Sequence, residues 1–232
     1  MPETIPRLRL NHTAPVKGKF AMFGIFDTKR LQVEYKIDLE DLECIALRAY
    51  GAMQETWPGA LNHLKPRAMT AMLVDSKLYL CSSIKGGPPS FIDLLDPESK
   101  ERILLANHLQ NSQLIASAYE SAIDHTNGGN CGELHALYRW IQDNPGHSFP
   151  NTPDMLITTA KSGGQIMSPC GREAEESSTL PRGCFSLMKF LCLRASSKRR
   201  VVDHFDRYKR TSTMIGLLRP LTGSPMLPDS VE

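Results

Sequence analysis

Cys131 and Glu133 stand one residue apart in the stretch "GGNCGELHALYRWI", residues 128–141, where a Gly-rich turn runs into an apolar, helix-spaced segment. A glutamate in the first turn of a helix faces the positive end of the dipole. A cysteine there is often small core filler. The same pair can also do chemistry, if a thiolate holds a metal and the carboxylate reaches a water on it. That reading needs further ligands, and the chain has six cysteines, at 44, 81, 131, 170, 184 and 192. Cys170 follows Pro169 at the end of a predicted strand, and Cys184 follows Gly183 at the start of a predicted helix. Thiolates at helix starts are stabilised by the dipole, and more so by a metal. Three protein ligands with an open fourth position make a catalytic zinc site, and soft thiolates suit zinc. Cys44, Cys81 and Cys192 fall in apolar helix or strand contexts and read as core.

On these residues the sequence resembles the zinc-dependent cytidine deaminase superfamily. Its pattern is a Cys or His, one residue, then Glu at a helix start, followed by a strand and Pro-Cys-x-x-Cys entering a second helix. "CGE" matches the first half and "PC", Pro169–Cys170, opens the second. Thirteen residues separate Cys170 from Cys184, where the family has two, and Glu173 occupies the family's third-ligand position. Cys184 is the preferred third ligand because it reproduces the cysteine at a helix start, which makes 171–183 an inserted loop. Glu173 stays open as an oxygen ligand. The resemblance implies zinc on Cys131, Cys170 and Cys184, with Glu133 as the catalytic proton shuttle. Zinc lowers the pKa of its bound water, so that hydroxide is available near neutral pH. The implied function is hydrolytic deamination, amine to carbonyl, of a nucleobase, nucleoside or related amino heterocycle. The ribose-binding strand of free-nucleoside deaminases is not evident in "LYLCSSIKGGPPSF". Two alternatives stay open: a deaminase-fold enzyme repurposed for another reaction in small-molecule biosynthesis, and an interaction protein with a structural zinc.

Asn127, Asn130 and His135 are candidate substrate contacts. The asparagines also suit a left-handed turn and a helix cap, and His135 also suits a polar partner on its own helix. The basic run "SSKRRVVDHFDRYKR", residues 196–210, interleaves Phe205 and Tyr208, as in surfaces that grip a nucleic-acid backbone. Its Asp203 and Asp206 weaken the field, so nucleic acid is not favoured as a partner. Small-molecule amines or nucleoside-type substrates are. Homo-oligomers are common in the resembled superfamily.

The elements that must position these residues follow from periodicity and turn signals. Residues 38–56 have helical spacing behind Asp38, a candidate N-cap, and Trp57-Pro58-Gly59 stops them. Residues 68–87 read as a β-hairpin around Asp75-Ser76-Lys77. Residues 97–123 read as a helix opened by Pro97, with Ile103, Leu104, Leu114 and Ile115 on its apolar stripe. "DMLITTA", 154–160, suits a buried strand, "QIMSPC" a second one, 184–195 an apolar helix, and "RRVVDHF" a last strand. Strands alternating with helices predict an α/β fold with a mixed β-sheet and flanking helices; the resemblance makes it a three-layer α/β/α arrangement. The expected organisation is an N-terminal arm (1–37), a deaminase-like zinc domain (38–208) and a C-terminal tail (209–232). Net charge is +2, which does not argue for nucleic-acid or membrane partners. With no secretory signal and no run of 18 apolar residues, a cytoplasmic location is the expectation and no membrane partner is.

Overall fold

The computed structural model of the chain describes residues 8–86, 89–117, 130–145, 147, 149, 155–167, 184, 191, 194–195, 200–201 and 205–221. The chain builds one mixed sheet with helices on both faces. Strands β1 (Asn11–Thr13) and β2 (Ala21–Asp27) come first, followed by the short helix α1 (Lys29–Glu34) and by α2 (Leu39–Thr56). The hairpin β3 (Ala68–Val74) and β4 (Lys77–Ser82) leads to α3 (Lys100–Ser117) and α4 (Gly132–Asp143). After these come β5 (Leu156–Lys161), β6 (Gln165–Met167), β7 (Arg194–Ala195), β8 (Arg200–Val201), α5 (Phe205–Leu217) and β9 (Arg219–Pro220).

Local chemistry explains the main elements. The Asp38 carboxylate accepts from the Asp41 N–H at 2.8 Å, and the Asp41 carboxylate accepts from the Asp38 N–H at 3.2 Å, a reciprocal cap that fixes where α2 begins. Trp57 is extended and ends the helix. The hairpin closes on a two-residue turn, since Val74 pairs with Lys77, and Asp75 takes the left-handed φ of 53° that such turns require.

The strands run in the order β1-β2-β4-β3-β5-β6-β8, and each neighbouring pair along that path is antiparallel. β7 pairs with β5 in parallel, and β9 pairs with β2. Alternation along β3 divides the core. Met69, Ala71 and Leu73 pack with Leu42, Ile45 and Ala49 of α2, while Met72 and Val74 pack with Leu134 and Leu137 of α4.

Several sequence expectations are corrected. Residues 21–27, assigned to an arm, form a strand buried almost throughout and paired on both sides by β1 and β4, because "AMFGIF" fills both cores at once. α3 starts at Lys100 rather than Pro97. The Ser99 hydroxyl accepts from the Arg102 N–H, and Asp96–Ser99 form the turn before it. Ile103 is exposed while Leu105 is buried, so the apolar stripe is rotated from the expected one. Among the described residues of "RRVVDHF", Arg200–Val201 form the two-residue β8, and Phe205 already belongs to α5. The tail is not loose at its start: Met214, Ile215 and Leu218 bury against α2, and Arg210 pairs with the buried Asp41 at 3.0 Å. No helix among the described residues is long and apolar enough to cross a membrane.

Candidate metal centre

The first turn of α4 lies against the sheet where β3, β4 and β5 run side by side. Thr70 of β3 is opposite Cys81 of β4 on one side and Thr159 of β5 on the other. Gly132 is what lets the helix approach. A Cβ at 132 would fall on Thr70 Oγ1 and lie 3.1 Å from the Cys81 carbonyl oxygen. The middle residue of Cys-Gly-Glu is therefore small because a threonine hydroxyl occupies the place of its side chain. Cys131, extended, is the N-cap, and Glu133 is in the first turn, as the sequence predicts.

Cys131, Glu133 and Cys184 come together. One ligand atom from each, two sulfurs and a carboxylate oxygen, lie within 4.8 Å of one another, and all three residues are buried. Cys184 takes helical conformation, while Arg194–Ala195, expected at the end of the same helix, form β7 instead. A cluster of this kind could hold a metal ion. Three atoms at such separations can share a cation at ordinary bond lengths of about 2.0–2.3 Å after small side-chain adjustments. Two buried sulfurs and a carboxylate are also a costly group to enclose unless something binds or protonates them. Cys170 and Glu173, the other candidates for the ligand set, lie outside the described residues, as does Asn127.

Glu133 has a hydroxyl support that sequence reading missed. Thr159 Oγ1 donates to Glu133 Oε1 at 2.8 Å, and Thr70 Oγ1 lies 2.7 Å from Thr159 Oγ1. A hydroxyl has one proton. Thr159 uses its proton on the carboxylate, so Thr70 is the donor to Thr159. The chain Thr70→Thr159→Glu133 crosses two strands and ends at the cluster. Its sequence signal is Thr70 and Thr159, each alternating with apolar residues on the same face of its strand, Met72 and Val74 in "AMTAMLV" and Ile157 in "LITTAK".

The other candidate contacts are placed differently. His135 is fully buried. Its Nδ1 donates to the Ser82 carbonyl at 3.0 Å, which leaves Nε2 to accept from Arg139 Nε at 3.4 Å. Burial, with the Arg139 charge beside it, pushes its pKa down to about 3, so the ring is neutral and structural rather than a substrate contact. Arg139 is held by His135, by Thr13 at 2.7 Å and by Gln142 at 2.9 Å, and its guanidinium covers the Phe23 ring at 3.9 Å. Asn130 is also a brace. Its side-chain oxygen accepts from the Phe91 N–H at 3.1 Å and its backbone carbonyl from the Ile84 N–H at 3.0 Å. These bonds tie both ends of the segment after β4 to the residue before Cys131.

Cys81 is buried against α4, and burial raises its thiol to about 12, so it behaves as core, as does buried Cys44. Cys192 lies outside the described residues. Of the basic run, Arg210 has a described side chain, and it is engaged by Asp41. No protein-family model, no curated protein and no solved structure matches the chain.

Proposed function

We propose that the chain is a zinc-dependent hydrolytic deaminase acting on a nucleobase, nucleoside or related amino heterocycle. The observation that carries this reading is the buried meeting of Cys131, Cys184 and Glu133 at the start of α4. Two further features support it. The chain order, with α4 followed by β5, then Cys184, then β7 parallel to β5, keeps Cys184 after the strand that follows α4, as in the motif it resembles. In addition, excising residues 173–183 from the sequence leaves Pro169-Cys170-Gly171-Arg172-Cys184, which is Pro-Cys-x-x-Cys. That relation favours Cys184 over Glu173 as the third ligand and favours a cytidine deaminase-like form of the α/β fold.

Cys131, Cys170 and Cys184 would hold the ion, which when bound supplies positive charge that acidifies a water. Glu133 takes the proton from the attacking water. It passes that proton to the ring nitrogen, then takes the remaining hydroxyl proton and passes it to the departing amine. A carbon–oxygen bond forms, the exocyclic carbon–nitrogen bond breaks, and ammonia leaves. Thr159 fixes one oxygen of that carboxylate, and the low polarity around it strengthens both contacts.

The runner-up is a structural metal site, favoured by the depth of burial of all three residues. Elemental analysis of the full chain, purified without added metal under reducing conditions, separates the readings when combined with Glu133→Gln. About one zinc per chain is expected. Release of ammonia from an amino-pyrimidine or amino-purine is also expected, lost in Glu133→Gln with zinc retained. Absence of any bound metal overturns the proposal. Stoichiometric zinc with no deamination of any amino heterocycle in the panel favours the structural reading.

A further inference from the structure

Glu133 has two possible fates at a metal. Its carboxylate oxygen is as close to the two sulfurs as a third ligand would be, yet a proton carrier must stay off the ion. We infer that Thr159, oriented by Thr70, is the positioning residue that keeps Glu133 from closing the coordination sphere. This rests on reading the cluster as a metal centre.

The inference stands on geometry. Thr159 Oγ1 donates to Glu133 Oε1 at 2.8 Å, and Thr70 Oγ1 is 2.7 Å from Thr159 Oγ1. All three side chains are buried, Thr70 completely, so water does not compete for these bonds. The β3–β5 register sets the spacing, since Thr70 is directly opposite Thr159. Gly132 seals the arrangement, because Thr70 Oγ1 occupies the volume a larger residue would take. A hydrogen bond to a carboxylate in a dry site is among the stronger ones. Drawing the carboxylate onto a cation would pull it away from the Thr159 hydroxyl, at a cost comparable to the bond between them. Groups behind the directly binding residues commonly orient a metal site in this way.

The test uses Co2+ as a visible probe in the full chain, with azide as a small anion that enters an open coordination position. The wild-type chain is expected to bind Co2+ with thiolate charge-transfer and d–d bands, and the d–d bands should shift on adding azide. In Thr159→Val, Glu133 swings onto the metal, and the azide response should be lost. Thr159→Ser restores it, and so does Thr159→Val combined with Glu133→Gln. Thr70→Val, which leaves the Thr159 hydroxyl in place but unsupported, should weaken the response in the same direction and carries the test where Thr159→Val does not fold. Bands and azide response unchanged in both Thr159→Val and Thr70→Val, with Co2+ bound, would overturn the inference and leave the deaminase reading intact. No Co2+ uptake by the wild-type chain overturns both.

Discussion

Glu133 and His135 sit two residues apart on the same helix, both buried and both titratable, and they have opposite roles. Glu133 faces two thiols and accepts a hydroxyl proton from a neighbouring strand. His135 turns to β4, where a carbonyl and a guanidinium satisfy its neutral ring. What separates them is the company each keeps. Partners that leave a group beside other metal-ligating atoms make a candidate metal site, whereas partners that use up both ring nitrogens make a structural one. Burial alone does not tell the two apart.

The strongest way to break this comparison is to remove the thiols. Cys131→Ser or Cys184→Ser should reduce bound zinc from about one per chain to near zero by elemental analysis, whereas His135→Gln should leave zinc unchanged. Equal loss in all three would make the whole helix, rather than its first turn, the metal-binding unit.

Next in size is the fit of Gly132. Gly132→Ala forces its new methyl onto Thr70 Oγ1 and should cost about 1–3 kcal/mol in denaturant unfolding. Adding Thr70→Ala should recover part of that, because the hydroxyl is gone while the Thr70 Cβ, 3.1 Å away, remains. An Ala variant as stable as the wild type would mean that the helix start is not packed as described.

His135 gives an effect that depends on pH. Folded, it accepts a proton only near pH 3, whereas the unfolded chain accepts one near the ordinary value of about 6.5. Its contribution is therefore intact above pH 6.5 and is lost as the pH falls toward 3. Between pH 7 and pH 5 the wild type should lose about 2 kcal/mol more than His135→Gln. Parallel stability curves for the two proteins would show that the ring is not held neutral.

The smallest effect belongs to the brace before the cluster. Asn130→Ala strips the Phe91 N–H of its acceptor and should cost about 1 kcal/mol, with zinc retained. Loss of metal in that variant would make Asn130 part of the site.

Much of this was legible in the sequence where the information is local. Asp38 announced α2, the Asp75 turn announced the hairpin, and the Gly-rich stretch before Cys131 announced α4. The convergence of Cys131, Glu133 and Cys184 was legible because residue type and helix-start position carry it. The hydroxyl chain was not. Thr159 is 26 residues from Glu133 and 89 from Thr70, and strand register, which no local pattern encodes, brings them together. β2 was missed for a different reason: a uniformly apolar run that is buried on both faces has no alternation to read. His135 was legible as a partner for a polar group on its own helix, which is Arg139, but its other partner, a backbone carbonyl on β4, becomes visible only once the helix has docked.

The parallel pairing of β7 with β5 has a consequence for how the chain reaches this state. Among the described residues every other pairing in the sheet is antiparallel, and the sequence that joins β5 to β7 contains β6 and Cys184. Closing this connection costs chain entropy, as do the β2–β4 and β3–β5 pairings, whose partners lie farther apart in sequence. An ion bridging Cys131 and Cys184 would clip the returning segment to a helix that precedes β5. Because the ligands are brought together only in the folded chain, a cation bound there would stabilise the folded state directly and act as a latch on it.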